Sequence, residues 1–191
     1  LSLRAMPRYI RLVYASRATF PPIREGAGIH PEVARILVQS RRNNQRRRVV
    51  GGLYYADGSF FQCIEGRVQD VDALYDTLCE DPRHRDLLVL SRREIPAPAF
   101  GDWAMKHVPH APEVRQLLAR YTRNGFEPHS FPPELVEAMV ELLRDRPDSN
   151  LVLGEDQSLA RRARRTLVAR VVAATGLAAT AAVVAGILLR F

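Results

Sequence analysis

A glutamine stands inside the most apolar strand-like run of this chain. Gln62 lies within Phe60-Phe61-Gln62-Cys63-Ile64-Glu65-Gly66. Strand side chains alternate between faces, so Gln62 shares a face with Phe60 and Ile64. A side-chain amide carries two donor hydrogens and a carbonyl with two lone pairs, and leaving them unmet in a core costs about 1–3 kcal/mol. Tyr14, in Leu12-Val13-Tyr14-Ala15-Ser16, offers a hydroxyl, and Asn44, in Arg41-Arg42-Asn43-Asn44, a second amide. A phenol and two amides suit a planar ligand with a polar edge. Taken singly, each residue has a plainer role: Tyr14 as a core tyrosine, Asn44 as a helix C-cap, Trp103 and Met105 as core filling. Gln62's need for partners is what groups them.

Other chemistries find little support. The two cysteines, Cys63 and Cys79, show neither metal nor redox spacing, which suits a reducing compartment. His107-Val108-Pro109-His110 has no cysteine or carboxylate cluster nearby to complete a metal site. There is no nucleophile elbow, P-loop or paired-carboxylate arrangement, so the sequence reads as non-enzymatic. The chain opens on Leu without a secretory signal, and Met6 reads as a natural start, with residues 1–5 an upstream extension.

The 191 residues fit one domain plus extras, and a 47% apolar fraction suffices for a core. The formal net charge of +7 raises nucleic acid or anionic membrane as partners. The basic residues are concentrated, however: Arg41, Arg42, Arg46, Arg47 and Arg48 in one cluster, and Arg161, Arg162, Arg164 and Arg165 in another.

Periodicity and turn signals give the elements that must position the site. Tyr9 to Ala15 reads as a strand with Ile10, Leu12 and Tyr14 on one face. Pro31-Glu32 opens a helix with Val33, Ile36, Leu37 and Ser40 inward, ending around Asn43-Asn44. Val49 to Tyr55 and Ser59 to Glu65 form a hairpin about Asp57-Gly58. Val68, Val71, Leu74, Tyr75 and Leu78 line a second helix, stopped by Asp81-Pro82. Leu87 to Ser91 is a strand. Asp102 to His107 is a last short one, with Trp103, Met105 and His107 on one face. This βαββαββ order predicts an α+β, ferredoxin-like sandwich, with both helices over one face of a largely antiparallel sheet and a ligand groove between them. Two further helices, lined by Val114, Leu117, Leu118 and Tyr121 and by Leu135, Met139, Leu142 and Leu143, are expected on the opposite face.

The tail departs from globular composition. Val171 to Leu189 is nineteen residues without a charge. As a helix it would span about 28 Å, close to the ~30 Å hydrocarbon thickness of a bilayer. Apolar residues surround it, which favours a transmembrane helix over a buried core helix. Arg161-Arg162-Ala163-Arg164-Arg165 precedes it, so the positive-inside rule puts the N-terminal domain in the cytoplasm, tail-anchored in an inner membrane. Ala178, Ala182 and Gly186 form a small-residue stripe that would let two such helices pack as a homo-oligomer. The organisation expected is a ligand-binding domain over 6–108, a helical extension over 109–146, a linker with a basic juxtamembrane segment over 147–165 and a transmembrane helix over 166–190.

Leu12-Val13-Tyr14-Ala15-Ser16, then Asn44, then Gly51-Gly52-Leu53-Tyr54-Tyr55-Ala56-Asp57-Gly58-Ser59-Phe60-Phe61-Gln62-Cys63-Ile64-Glu65-Gly66 resemble a BLUF domain, a blue-light sensor using FAD. Asp81-Pro82-Arg83-His84 and Phe100-Gly101-Asp102-Trp103-Ala104-Met105 resemble its later segments, and the likeness runs from about Arg8 to Val108. Val50 departs from the family's usual Thr, at a position expected to pack. The resemblance implies FAD as cofactor, its ring between the two helices. It makes Tyr14, Gln62, Trp103 and Met105 the photoactive residues and Asn44, Gln62, Tyr14, Ser40, Arg83 and His84 the cofactor contacts. It further implies electron donation by Tyr14, with a proton moving through Gln62, and a rotated or tautomerised Gln62 that bonds the flavin C4 carbonyl more strongly and shifts absorption to the red. Trp103 and Met105 would compete for the place beside Gln62, so that the last strand reports its state. No output domain is recognisable, so the signal must pass to an unidentified protein partner, or through the chain's own oligomer or anchor. The alternative is a ferredoxin-like module that binds nucleic acid or protein without flavin. The chain lacks the aromatic pattern of an RNA-recognition sheet, since Phe60 and Phe61 lie on opposite faces. Nucleic acid is therefore disfavoured.

Overall fold

The computed structural model describes residues 8–22, 28–108 and 112–146. The chain divides into two units, Leu1–Ser149 and Asn150–Phe191. The second unit lies outside the described residues, and so do the linker 147–165 and the span expected over 166–190. Among the described residues no helix is long and apolar enough to cross a membrane.

The elements run β1 (Tyr9–Ala18), α1 (Pro31–Arg47), β2 (Val50–Ala56), β3 (Ser59–Arg67), α2 (Val68–Cys79), β4 (His84–Ile95), β5 (Lys106–His107), α3 (Pro112–Arg120) and α4 (Pro133–Asp145), with a short 3-10 turn, Pro128–Ser130, between the last two helices. The five-stranded sheet has the order β4-β1-β3-β2-β5. Every pairing is antiparallel except β2 with β5. This is the expected ferredoxin-like βαββαββ arrangement with helices after it. The β2–β3 hairpin turns at Asp57 and Gly58, both at positive φ (49° and 71°), as its Asp-Gly pair predicts.

β1 and β3 lie inside the sheet and are buried almost throughout. One face carries Ile10, Leu12, Tyr14, Leu53, Phe60 and Ile64 against Val33, Ile36 and Leu37 of α1 and Val71 and Leu74 of α2. The other carries Val13, Tyr54, Phe61 and Cys63 against Val114 and Leu118 of α3 and Leu135, Met139 and Leu143 of α4. The sheet therefore has no solvent face at its centre, as expected of helices on both sides. Val50 packs toward the α3–α4 face, so the departure at that position is a packing choice. β4 is an edge strand and mostly exposed.

Several element boundaries differ from expectation. α1 does not stop at Asn43-Asn44; it runs to Arg47 and ends on Arg48 in the left-handed region (φ 54°). Gln45, Arg46 and Arg47 are good helix formers, and cations suit a helix C-terminus. β1 and β4 are each several residues longer than predicted because they pair with one another from Tyr9↔Ile95 to Ala18↔His84. β5 shrinks from the expected Asp102–His107 to Lys106–His107, which leaves Trp103 and Met105 outside any strand. The backbone before β5 is held largely by other means. Gly51 N–H donates to Trp103 O (3.0 Å), Asn44 Nδ2 to Ala104 O (2.8 Å) and Arg41 Nε to Met105 O (2.9 Å). Side chains of α1 thus take the carbonyls that a strand partner would have taken.

Candidate functional site

Tyr14 and Gln62 are brought together by strand register. They are directly opposite in the β1–β3 pairing, on the face beneath α1 and α2. The Tyr14 hydroxyl donates to Gln62 Oε1 at 2.6 Å, and the side chains are 0% and 1% exposed. Tyr75 of α2 sets its ring edge-on to Tyr14, with centroids 5.6 Å apart. Burial first, then the nearby groups of Tyr75, Asp81 and Cys79, holds the Tyr14 phenol well above its ordinary pKa of 10.0. The phenol is therefore neutral and keeps its proton.

The other end of the Gln62 amide is unmet. Its Nε2 is buried without a hydrogen-bond partner. Two more buried atoms on this side of the sheet share that condition: the Tyr55 hydroxyl and His84 Nε2. Tyr55 packs against the same core as Tyr14, and the His84 ring lies 4.5 Å from that of Phe60, Gln62's neighbour on its face. Buried polar atoms are nearly always satisfied, so three left alone on one side of the sheet call for a common partner. The donor at Gln62 matches the acceptor edge of a planar heterocycle such as a flavin.

The remaining expected residues are placed as follows. Asn44 is buried within the last turn of α1, where its carbonyl accepts from Val49 N–H (3.0 Å) and its Nδ2 is committed to Ala104 O. Ser40 is half-buried one turn earlier. His84 begins β4 and meets Ser16 Oγ through Nδ1 at 2.8 Å. Burial lowers its pKa from 6.5 to about 4, so it is neutral. Arg83 is held by Asp81 (2.9 Å from Nε) and donates to Gln39 Oε1 of α1 (2.8 Å), tying the turn after α2 to α1. Met105 is 2% exposed in the core that contains Tyr14. Trp103 is half-buried and outside that core, so the structure separates two residues expected on one strand face.

Several participants escaped the sequence reading. Tyr55, Tyr75 and Ser16 read as ordinary strand and helix residues. A buried ion pair also joins the two strands one face away: Arg11 Nε meets Glu65 Oε1 at 2.6 Å, and Glu65 Oε2 accepts from Ala99 N–H in the segment leading to β5. Arg11 and Glu65 are register partners, a fact that only the strand pairing discloses. Among the described residues no cluster of His, Cys, Asp or Glu could hold a metal.

Comparison with known proteins agrees with this geometry. The profile of the family described as "BLUF: Sensors of blue-light using FAD" matches residues 9–106. A photoactivated adenylate cyclase subunit beta of Euglena longa is 31% identical over 140 residues, 71% of this chain and 16% of that protein. The chain thus spans only a small part of the length of such curated relatives. Among solved structures, "BlsA photo-activated state" is similar with a TM-score of 0.65 and 26% identity, over 74% of this chain and 98% of that one. "BlrB - a BLUF protein, dark state structure" is similar with a TM-score of 0.51 and 29% identity, over 70% and 98%.

Proposed function

Because this chain belongs to the BLUF family, the blue-light sensors that use FAD, we propose that its light response is a hydrogen-bond switch built on Tyr14 and Gln62. The buried, unpartnered Gln62 Nε2 beside a 2.6 Å Tyr14–Gln62 bond carries this reading. Asn44 and Gln62 would hold the flavin's polar edge, with Ser40 lining the groove and Arg83 and His84 toward its other end. FAD, when bound, absorbs blue light and in its excited state accepts an electron.

Tyr14 is the donor. Its proton stays in place in the dark because burial opposes the phenolate. Loss of an electron makes the phenol strongly acidic, and its hydrogen bond leads to Gln62 Oε1. Oε1 takes the Tyr14 proton while Nε2 gives one up, and Tyr14 regains its electron and a proton at the end, so that the net change is the imidic-acid tautomer of Gln62. Rotation of that tautomer turns its O–H toward the ligand, a stronger donor than the amide NH2, in a stable alternative hydrogen-bond pattern. Met105 lies in the same core and Trp103 outside it, so the segment before β5 can report the amide's state by exchanging the two. The signal then passes to a protein partner. The apolar stretch 171–189 with its basic flank would anchor the sensor, facing the cytoplasm, in a bacterial inner membrane.

The test is the visible spectrum of the purified protein before and after blue light. A flavin spectrum that shifts red and recovers in the dark supports the switch. A bound flavin with no shift removes Gln62 from its role, and a protein that stays colourless after refolding with FAD refutes the sensor.

A further inference from the structure

β5 follows directly on Met105 of the Tyr14 core and reaches α4 through the side chain of Lys106. Lys106 directly follows Met105, and its side chain is only 4% exposed. Its Nζ donates to the carbonyl of Arg144 at 2.6 Å. Arg144 is in the last turn of α4 (Pro133–Asp145), where four carbonyls lack intrahelical partners. A cation there satisfies one carbonyl and meets the negative end of the helix dipole.

A second, independent contact ties the same turn to the same place. Gly52 of β2 pairs with Lys106 in the parallel register. A Cβ at Gly52 would lie 2.9 Å from Phe100 Cε1 and 3.4 Å from Leu143 Cβ. The Phe100 ring and α4 therefore pack onto bare backbone beside β5. On the site's side, the carbonyls of Trp103, Ala104 and Met105 are gripped by Gly51, Asn44 and Arg41. Any rearrangement beside Gln62 that moves Met105 must move the next residue.

We propose that Lys106 is a positioning residue that couples the Tyr14–Gln62 site to the C-terminal end of α4: displacement of Met105 draws the ammonium away from the Arg144 carbonyl and frees the helix's last turn. This rests on the switch proposed above.

The test uses full-length, flavin-loaded protein and hydrogen exchange of the amides of residues 142–146, in the dark and under blue light, with absorbance followed in parallel. In the native sequence, light should accelerate exchange roughly 2- to 30-fold, the range that a charge at a helix terminus supports. Lys106→Met keeps the aliphatic stem. It should retain the red shift, exchange in the dark at the illuminated rate and gain nothing from light, whereas Lys106→Arg should restore the light dependence. A normal red shift with unmoved amides in the native sequence overturns the coupling alone, and needs no variant to fold. A Lys106→Met protein with native dark exchange and a full light response also overturns it. A native protein with no red shift overturns the switch and this coupling together.

Discussion

If the Tyr14–Gln62 pair is a matched donor and acceptor in a dry core, its two members must fail together. Tyr14→Phe removes the hydroxyl that donates to Gln62 Oε1 at 2.6 Å and strands a buried acceptor, at about 1–3 kcal/mol. In a chain of this length that lowers the melting temperature by roughly 2–4 °C per kcal/mol. Gln62→Leu acts differently in flavin-free protein. It strands the Tyr14 hydroxyl but deletes an Nε2 that already lacks a partner, so the two terms offset. The double variant deletes every stranded group and should be no less stable than the native sequence. The cycle therefore predicts a coupling of about 2–6 kcal/mol between the two sites. Urea unfolding of the four flavin-free proteins measures it, and additivity within about 0.5 kcal/mol would refute the pairing. With FAD bound, Tyr14→Phe should keep the yellow protein and abolish the light-induced shift; a shift of native size in that variant would remove Tyr14 as the donor.

Three further outcomes follow from other parts of the molecule. Burial lowers the His84 pKa from 6.5 to about 4, so between these values the unfolded chain binds a proton that the fold refuses. Stability should fall by about 3 kcal/mol as pH drops through that window, at 1.36 kcal/mol per unit, and His84→Gln should flatten this part of the urea-midpoint profile. Gly52→Ala should cost about 1–3 kcal/mol, because its Cβ would sit 2.9 Å from Phe100; Phe100→Leu in the same chain should recover most of it, and a Gly52→Ala protein with native stability would contradict the packing. Deleting residues 166–191 should release the protein from membranes with its photocycle intact, and a truncated protein that still pelleted with membranes would end the anchor reading.

The site was legible where polarity broke an apolar pattern. Gln62 in its strand, Tyr14 on an alternating face and Asn44 in a helix groove each violate or complete a local period, and all three adjoin the groove between α1 and α2 or its sheet floor. The order of elements along the chain, both hairpin residues and the helices on each face were equally local signals. What stayed hidden depends on pairings between distant segments. No local pattern pairs Arg11 with Glu65; the strand register sets them side by side. None joins Lys106 to the Arg144 carbonyl of α4. None shows that Phe100 lies where a side chain at Gly52 would be. The short β5 misled for a related reason: alternation at Trp103, Met105 and His107 is strand-like, but Arg41 and Asn44 of α1 supply bonds that no strand pattern encodes.

β1 precedes both its partners in the chain and lies inside the sheet. Its partners β3 and β4 come from residues 59–67 and 84–95. At about 5–20 residues per second, a ribosome delivers Gln62 several seconds after Tyr14. During that interval a strand buried on both faces in the finished protein has nothing to pair with. Non-local pairing of this kind folds slowly and leaves sticky intermediates. Both partners of β1 exist only once about residue 95 has emerged, and only then is the sheet floor beneath α1 and α2 complete. Expression yield should thus respond to cofactor supply and chaperone capacity late in synthesis, after the whole sheet is available.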